Sequence, residues 1–289
     1  MQQSDLFDLP PEPKREKYFK GLDRTIWTEN KASLIARYLY YFVLITRHGT
    51  YIDGFAGPQK PDNPKMWAAK QVLESKPQWF RNFHFFEKKP SQIARLEDLK
   101  NTFLLKFPQT RRKIEIHPGD FNELIEDFLE KNPIKEKEAT FCLLDQRTFE
   151  CHWRSVDILA RHKKTGCKIE LFYFLPCSWM ERAWAGIKDE TILFKWWGRD
   201  DWKILKGMRR YDRATYLSRR FKDEFNYSYV TPWPIYSKNS GGRVMYYMIH
   251  ATDHDDAPSL MNRAYNKALS PMESPEQFKF EFEKWKSSY

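Results

Sequence analysis

The sequence predicts an α/β fold: a mostly parallel sheet with helices on both faces, closed by an antiparallel hairpin. Three observations predict it. Strand and helix patterns alternate five times between residues 50 and 175, as a run of parallel β-α units requires. Two further strand patterns follow towards the C-terminal end, separated by a Gly-containing turn, as in a hairpin. The 289 residues are 41% hydrophobic and 17% aromatic, ample for one large core, with rings left over for a ligand or partner.

Residues 1–28 carry Pro10, Pro11 and Pro13 ahead of a charged run from Lys14 to Lys17, the composition of a loosely packed arm. From Asn30, placed as a cap, Leu34, Ile35, Tyr38, Leu39, Phe42 and Val43 recur at helical intervals, so an amphipathic helix is expected to pack on the sheet. Thr50 to Asp53 reads as a short strand, followed by a helix from Lys65 to Glu74. Phe83 to Glu87 is strand and Ser91 to Lys106 helix; Lys113 to His117 is strand and Phe121 to Glu130 helix. Thr140 to Asp145 is strand, His152 to Lys163 helix, and Ile169 to Leu175 the fifth strand. After Pro176 the pattern changes, and residues 178–227 read as a helical insertion dense in Trp and Arg. Tyr229 to Tyr236 and Val244 to Ala251 form the hairpin arms around Gly241 and Gly242. No Gly/Ser-rich or Pro-rich linker divides the middle, so residues 29–289 read as one domain.

Lys and Arg number 49 against 39 Asp and Glu, a formal charge of +10 that attracts phosphates and other polyanions without identifying one. Cys142, Cys151, Cys167 and Cys177 lack CxxC spacing and a His-rich neighbour, so free thiols and no metal site are expected. No stretch approaches the roughly 18 apolar residues of a membrane span, and no export signal opens the chain. A reducing cytoplasm fits.

In a doubly wound sheet ligands lie beyond the carboxyl ends of the strands, where strand order reverses. The first strand ends in Asp53-Gly54-Phe55-Ala56-Gly57-Pro58, with two glycines that allow close backbone approach. The second ends at Glu87, the position of an acid that accepts from both ribose hydroxyls. Gly119-Asp120 follows the third, and the fourth ends in Asp145. Any one of these is an ordinary turn; four in register favour a nucleoside carrying a cationic sulfonium over a phosphate.

With Phe85-Phe86-Glu87, Pro118-Gly119-Asp120-Phe121-Asn122, Leu144-Asp145-Gln146-Arg147-Thr148-Phe149 and the following Trp153, these strings resemble the three-Cys-motif partner proteins of bacteria and their mobile elements. The likeness runs from Lys31 to about Trp184 and returns at Met245 to His250. It implies a Rossmann-like fold of the class I S-adenosylmethionine methyltransferase type, whose strand inventory matches the one above. It also implies a partner, a separate three-cysteine-motif protein similar to radical S-adenosylmethionine enzymes. By the same resemblance Asp53, Gly54, Phe55, Ala56 and Gly57 form the methionine-side loop, Glu87 holds the ribose, and Asp120 with Phe121 borders the adenine. Asp145 faces the transferable methyl, with Gln146 and Phe149 placing the acceptor. Two departures stand out. Enzymes that methylate adenine amines carry Pro-Pro and an aromatic directly after the acid, whereas here Gln146, Arg147 and Thr148 precede Phe149. Gln59 also stands where such loops commonly have another glycine.

The remaining clusters carry blander readings. Lys31 reads as a solvated residue at a helix start. Cys151 and His152 are adjacent on a helix and point apart, so they make no nucleophile pair. His250, Asp253, His254, Asp255 and Asp256 match no metal-ligand spacing and read as a solvated loop. Trp196 and Trp197 among Arg209, Arg210 and Arg213 form either a surface for nucleic acid or a protein partner, or a packed helical lid. The leading expectation is methyl transfer from S-adenosylmethionine to a nucleic acid or nucleotide. The second is a methyltransferase-like scaffold that holds the three-cysteine-motif partner in defence against phage.

Overall fold

The computed structural model describes residues 28–60, 62–131, 134–238 and 241–286; the expected arm before Thr28 lies outside them. Helix α1 (Lys31–Thr46) leads into β1 (Gly49–Asp53), and α2 (Ala68–Leu73) into β2 (Phe80–Glu87). Helix α3 (Pro90–Lys106) precedes β3 (Lys113–Pro118), α4 (Phe121–Lys131) precedes β4 (Thr140–Leu144), and α5 (Trp153–His162) precedes β5 (Glu170–Leu175). The last two strands are β6 (Tyr229–Lys238) and β7 (Gly241–Thr252). All seven strands belong to one sheet of order β3-β2-β1-β4-β5-β7-β6. The first five are parallel, and β7 pairs antiparallel with both β5 and β6. This is an α/β architecture compatible with a Rossmann-like fold. The chain runs outward from β1 to β3 and returns to the other side of β1 as β4, so the order reverses between β1 and β4 and a crevice opens at their carboxyl ends.

The central strands are buried on both faces, as the continuous apolar runs of β4 and β5 require. One face packs α1, α2 and α3 through residues such as Tyr38, Val72 and Leu99; the other packs α4 and α5 through Ile125, Phe128 and Leu159. Within β2 the alternation sends Phe83 and Phe85 to the first core and Phe86 to the second, the period of two expected of a strand.

Three segments differ from the sequence reading. The helical stretch after β5 is divided into several segments. It comprises α6 (Cys177–Gly186), α7 (Glu190–Trp197), a 3-10 segment (Asp200–Gly207) and α8 (Arg210–Phe225). Asp189 caps α7 by accepting from the Thr191 amide at 2.9 Å, and Gly198 ends it in a left-handed conformation, φ 77°. Secondly, two helices follow β7, α9 (Ala257–Lys267) and α10 (Pro275–Lys286), in a stretch to which the sequence reading assigns no element. Their apolar stripes are short and interrupted by Asn, Arg, Lys and Glu, so periodicity alone leaves them faint. Thirdly, because these helices cover α1, its outward residues are buried as well: the Arg37 guanidinium donates to the Ser270 and Pro271 carbonyls and the Tyr40 hydroxyl to the Glu273 carbonyl. None of the described helices is long and apolar enough to cross a membrane.

Candidate functional site

An open cleft lies at the carboxyl ends of β1, β2, β3 and β4. Gly54, Phe55 and Gly57 line it from the loop after β1, Glu87 from β2, Gly119, Asp120 and Phe121 from the β3–α4 turn, and Asp145 from β4. The expected strand-end residues therefore meet at one rim, although they are up to 91 positions apart in the chain. A wider hollow lined by Thr140, Glu170 and Lys163 sits at the opposite, amino-terminal ends of β4 and β5.

The loop after β1 is held by its neighbours. The Gly54 amide donates to the Leu143 carbonyl and the Ala56 amide to the Phe86 carbonyl, both at 3.0 Å. Trp67 Nε1 donates to the Ala56 carbonyl at 2.7 Å. Asp53 does not reach the cleft surface. It is 2% exposed, accepting from the Phe55 amide at 3.1 Å and the Tyr51 hydroxyl at 3.0 Å, so it shapes the loop from beneath. Burial pushes its carboxyl up to about 7; the Phe55 amide opposes this and the charge of Asp145 adds to it.

Glu87 is the hub of the rim. Its Oε2 accepts from the Gly57 amide at 3.1 Å, and its Oε1 accepts from the amides of Lys88 and Lys89 at 3.0 and 2.9 Å. A Cβ on Gly57 would lie 2.3 Å from Glu87 Oε2, so only glycine lets the two meet. Gly119, with φ 142°, donates to the Glu87 carbonyl at 2.9 Å and turns β3 towards α4. Asp120 accepts from the Asn122 amide at 3.0 Å and pairs with Lys88 at 3.2 Å. Burial alone would raise its carboxyl, but the Asn122 donors and Lys88 outweigh that and hold it below the usual value. Phe121 is buried, its ring packed on Phe55 and Phe86, so it forms the floor of the cleft.

Asp145 is the point of sharpest departure. Lys31 is not solvated: it is 4% exposed, bonds Asp145 Oδ1 at 2.7 Å, and lies over the rings of Phe174 and Tyr246 at 4.8 and 5.1 Å. Gln59 donates to the other oxygen, Oδ2, at 3.1 Å, so it reaches across the cleft from the glycine-poor end of the loop. Gln146 does not face the cleft either. It is fully buried, donating to the Phe174 carbonyl at 3.1 Å and accepting from the Cys151 amide at 3.0 Å. Phe149 is buried against Trp196, 4.8 Å between centroids, and stacks towards Trp184, so it offers no open face to a base. Sequence reasoning passes over Lys88, Lys89, Gln92, Arg147 and Glu150, which also line the cleft; no motif singles them out.

The other expected clusters separate. Trp196 and Trp197 are each 1% exposed, in the core instead of on a stacking surface. Arg213 is buried too, donating to the Leu205 carbonyl at 2.7 Å, whereas Arg209 pairs with Asp212 and Arg210 with Glu181 at the surface. Trp179 is the exception among the tryptophans of this stretch: it is 42% exposed, carries the Arg182 guanidinium 4.1 Å above its ring, and lies near the Tyr246 hydroxyl. Cys151 is fully buried and burial pushes its thiol up, the opposite of an activated nucleophile. His250 lies inside β7, bonded to Glu170 at 2.8 Å, and Asp253 pairs with Lys168 at 3.0 Å, so that cluster is not a single solvated loop. No family model matches this chain, and no curated protein matches it either.

Proposed function

We propose that this chain is a methyltransferase-type protein that binds S-adenosylmethionine in the rim cleft and transfers its methyl group to a nucleic acid or nucleotide. The observation that carries the reading is the meeting of the Gly54–Gly57 loop with Glu87, Asp120 and Asp145 at the β1/β4 reversal. Glu87 is acceptor-only when ionised and suits ribose hydroxyls. The floor of Phe55 and Phe121 suits adenine, and Glu150 suits a sulfonium cation. S-adenosylmethionine supplies the electrophilic methyl; the chain's part is to orient the acceptor. The acceptor would approach past Trp179 and Arg182 and displace Gln59 from Asp145 Oδ2, which would then accept from the target amine and aim its lone pair. The resemblance to three-Cys-motif partner proteins adds a separate three-cysteine-motif protein as the working partner.

A second reading, a binding scaffold for that partner without transfer, is favoured by a specific observation: both Asp145 oxygens are already engaged, by Lys31 and Gln59. Calorimetry on the purified chain with S-adenosylmethionine and its demethylated product tests the first reading. Micromolar or tighter binding is expected, weakened about 10- to 100-fold by Glu87→Gln through loss of charged hydrogen bonds; no heat at high protein concentration defeats methyl transfer and leaves only the scaffold. Asp145→Asn then separates transfer from binding. It is expected to abolish methyl transfer with cofactor affinity nearly unchanged, whereas binding with no transfer by the unaltered chain, even beside the partner, leaves the scaffold.

A further inference from the structure

We propose that His84, Glu115 and His117 form a site for one first-row divalent transition-metal ion, zinc by ligand preference, on the outer two strands of the sheet. The site is independent of the cleft reading, and chain spacing could not show it, because its ligands come from two strands and meet only through their register. In the β2–β3 pairing His84 lies opposite Glu115, and Phe86 opposite His117, so all four side chains stand on the face covered by α4. The His84 Nδ1 and His117 Nε2 atoms are 3.2 Å apart, and Glu115 Oε2 is 3.6 Å from the first and 4.0 Å from the second.

A point equidistant from these three atoms lies about 2.1 Å from each, the length of a zinc–imidazole or zinc–carboxylate bond. A tetrahedral ion asks for ligand atoms about 3.4 Å apart; closing the Glu115 side by a few tenths of an ångström lifts the ion out of the ligand plane and leaves a fourth, open position. The nitrogen and carboxylate donors suit zinc, nickel or cobalt and are too few and too soft for calcium or magnesium.

The setting is that of a held ligand set. Phe128 of α4 lies edge-on to both imidazoles, at 4.7 and 5.0 Å between centroids, and Phe86 stacks on His117 at 4.5 Å. These rings fix the orientation of the imidazoles and exclude water from one side, the part that surrounding residues play around bound metals. Glu115 is 48% exposed and opens the site to solvent. A bound ion would tie the edge strand β3 to β2 three residues before Glu87 and Asp120.

The test uses the full chain, stripped with a chelator and dialysed, then titrated with zinc chloride by calorimetry and with cobalt chloride by visible absorption. One ion per chain at micromolar or tighter affinity is expected, with the intense cobalt bands of a four- or five-coordinate site. His117→Ala and Glu115→Gln should each weaken binding at least 100-fold with the far-ultraviolet circular dichroism unchanged. Glu115→Gln keeps size and sits at the surface, so it decides the matter if His117→Ala fails to fold. No binding by the unaltered chain, or equal binding by the Glu115→Gln variant, overturns the proposal.

Discussion

Asp53 shows how one residue can carry both the shape of the site and a pH dependence. Its carboxyl is raised to about 7, chiefly by burial, while in the unfolded chain it returns to the ordinary range near 4. Between those values the folded chain holds a proton that the unfolded chain has released, so the unfolded state binds fewer protons and stability falls as pH rises. Above about 7 both forms are ionised and the loss is complete. Urea unfolding is therefore expected to show a decline between about pH 4 and pH 7, on the order of 4 kcal/mol, that Asp53→Asn removes. The amide still accepts from Phe55 and donates to Tyr51, so the variant should fold; an identical pH profile in both proteins would assign the slope to other groups. Lys31 and Asp145 make the contrasting case. They lie 114 positions apart, and nothing local in the sequence distinguishes this lysine from a solvated one.

At the scale of elements, the stretch from α6 to α8 holds a dense set of aromatic and cationic side chains whose pattern fits both a nucleic-acid surface and a packed lid. Packing takes Trp196, Trp197, Arg213 and Arg220 into the interior. Arg220 of α8 sits between the faces of Trp153 and Trp197, 4.0 and 4.2 Å from their rings, donates to the Trp197 carbonyl at 2.7 Å, and pairs with Glu224 at 2.5 Å. Glu224 in turn accepts from Trp153 Nε1 at 2.8 Å. A guanidinium buried this way joins α5, α7 and α8, and removing it empties the space between the two indoles and takes a donor from the Trp197 carbonyl, while Glu224 keeps Arg199 at 2.9 Å and Trp153 Nε1. Arg220→Ala is expected to cost about 3 kcal/mol in urea unfolding, and the exposed Lys222→Ala of the same helix less than about 0.5 kcal/mol. Equal effects would mean that the aromatic sandwich contributes nothing.

For the whole molecule, the charge of +10 matters only through the cations that reach solvent. Arg37, Arg112, Arg213, Arg220 and Lys31 are buried, so the binding face must be built from others. Arg182 over the exposed Trp179, beside the Asp145 side of the cleft, and Arg209 on the same stretch are the candidates. If a nucleic acid binds there, the combined variant Arg182→Glu, Arg209→Glu should lower the slope of log affinity against log salt by roughly 0.7 to 0.9 for each phosphate that is no longer neutralised, measured by fluorescence anisotropy. Arg213→Glu is expected to unfold the stretch instead, because its charge is internal. An unchanged slope in the first variant would place the nucleic acid on another face.

The strands, most of the helices and the acids at the strand ends follow from the order of residues alone, because apolar period and turn chemistry act over a few positions. Asp53, Glu87, Asp120 and Asp145 are legible as a set for that reason: a parallel β-α series brings its strand ends to one rim whatever the details of packing. Which polar groups are spent is settled only once distant segments meet. Gln146 and Phe149 turn inward, Trp196 and Trp197 join the core, Lys31 closes on Asp145, and strand register sets His84 beside Glu115 and His117. Burial and ion pairing depend on which remote parts of the chain come together, and the free energy of a charge depends on that neighbourhood far more than on the residues next to it in the chain.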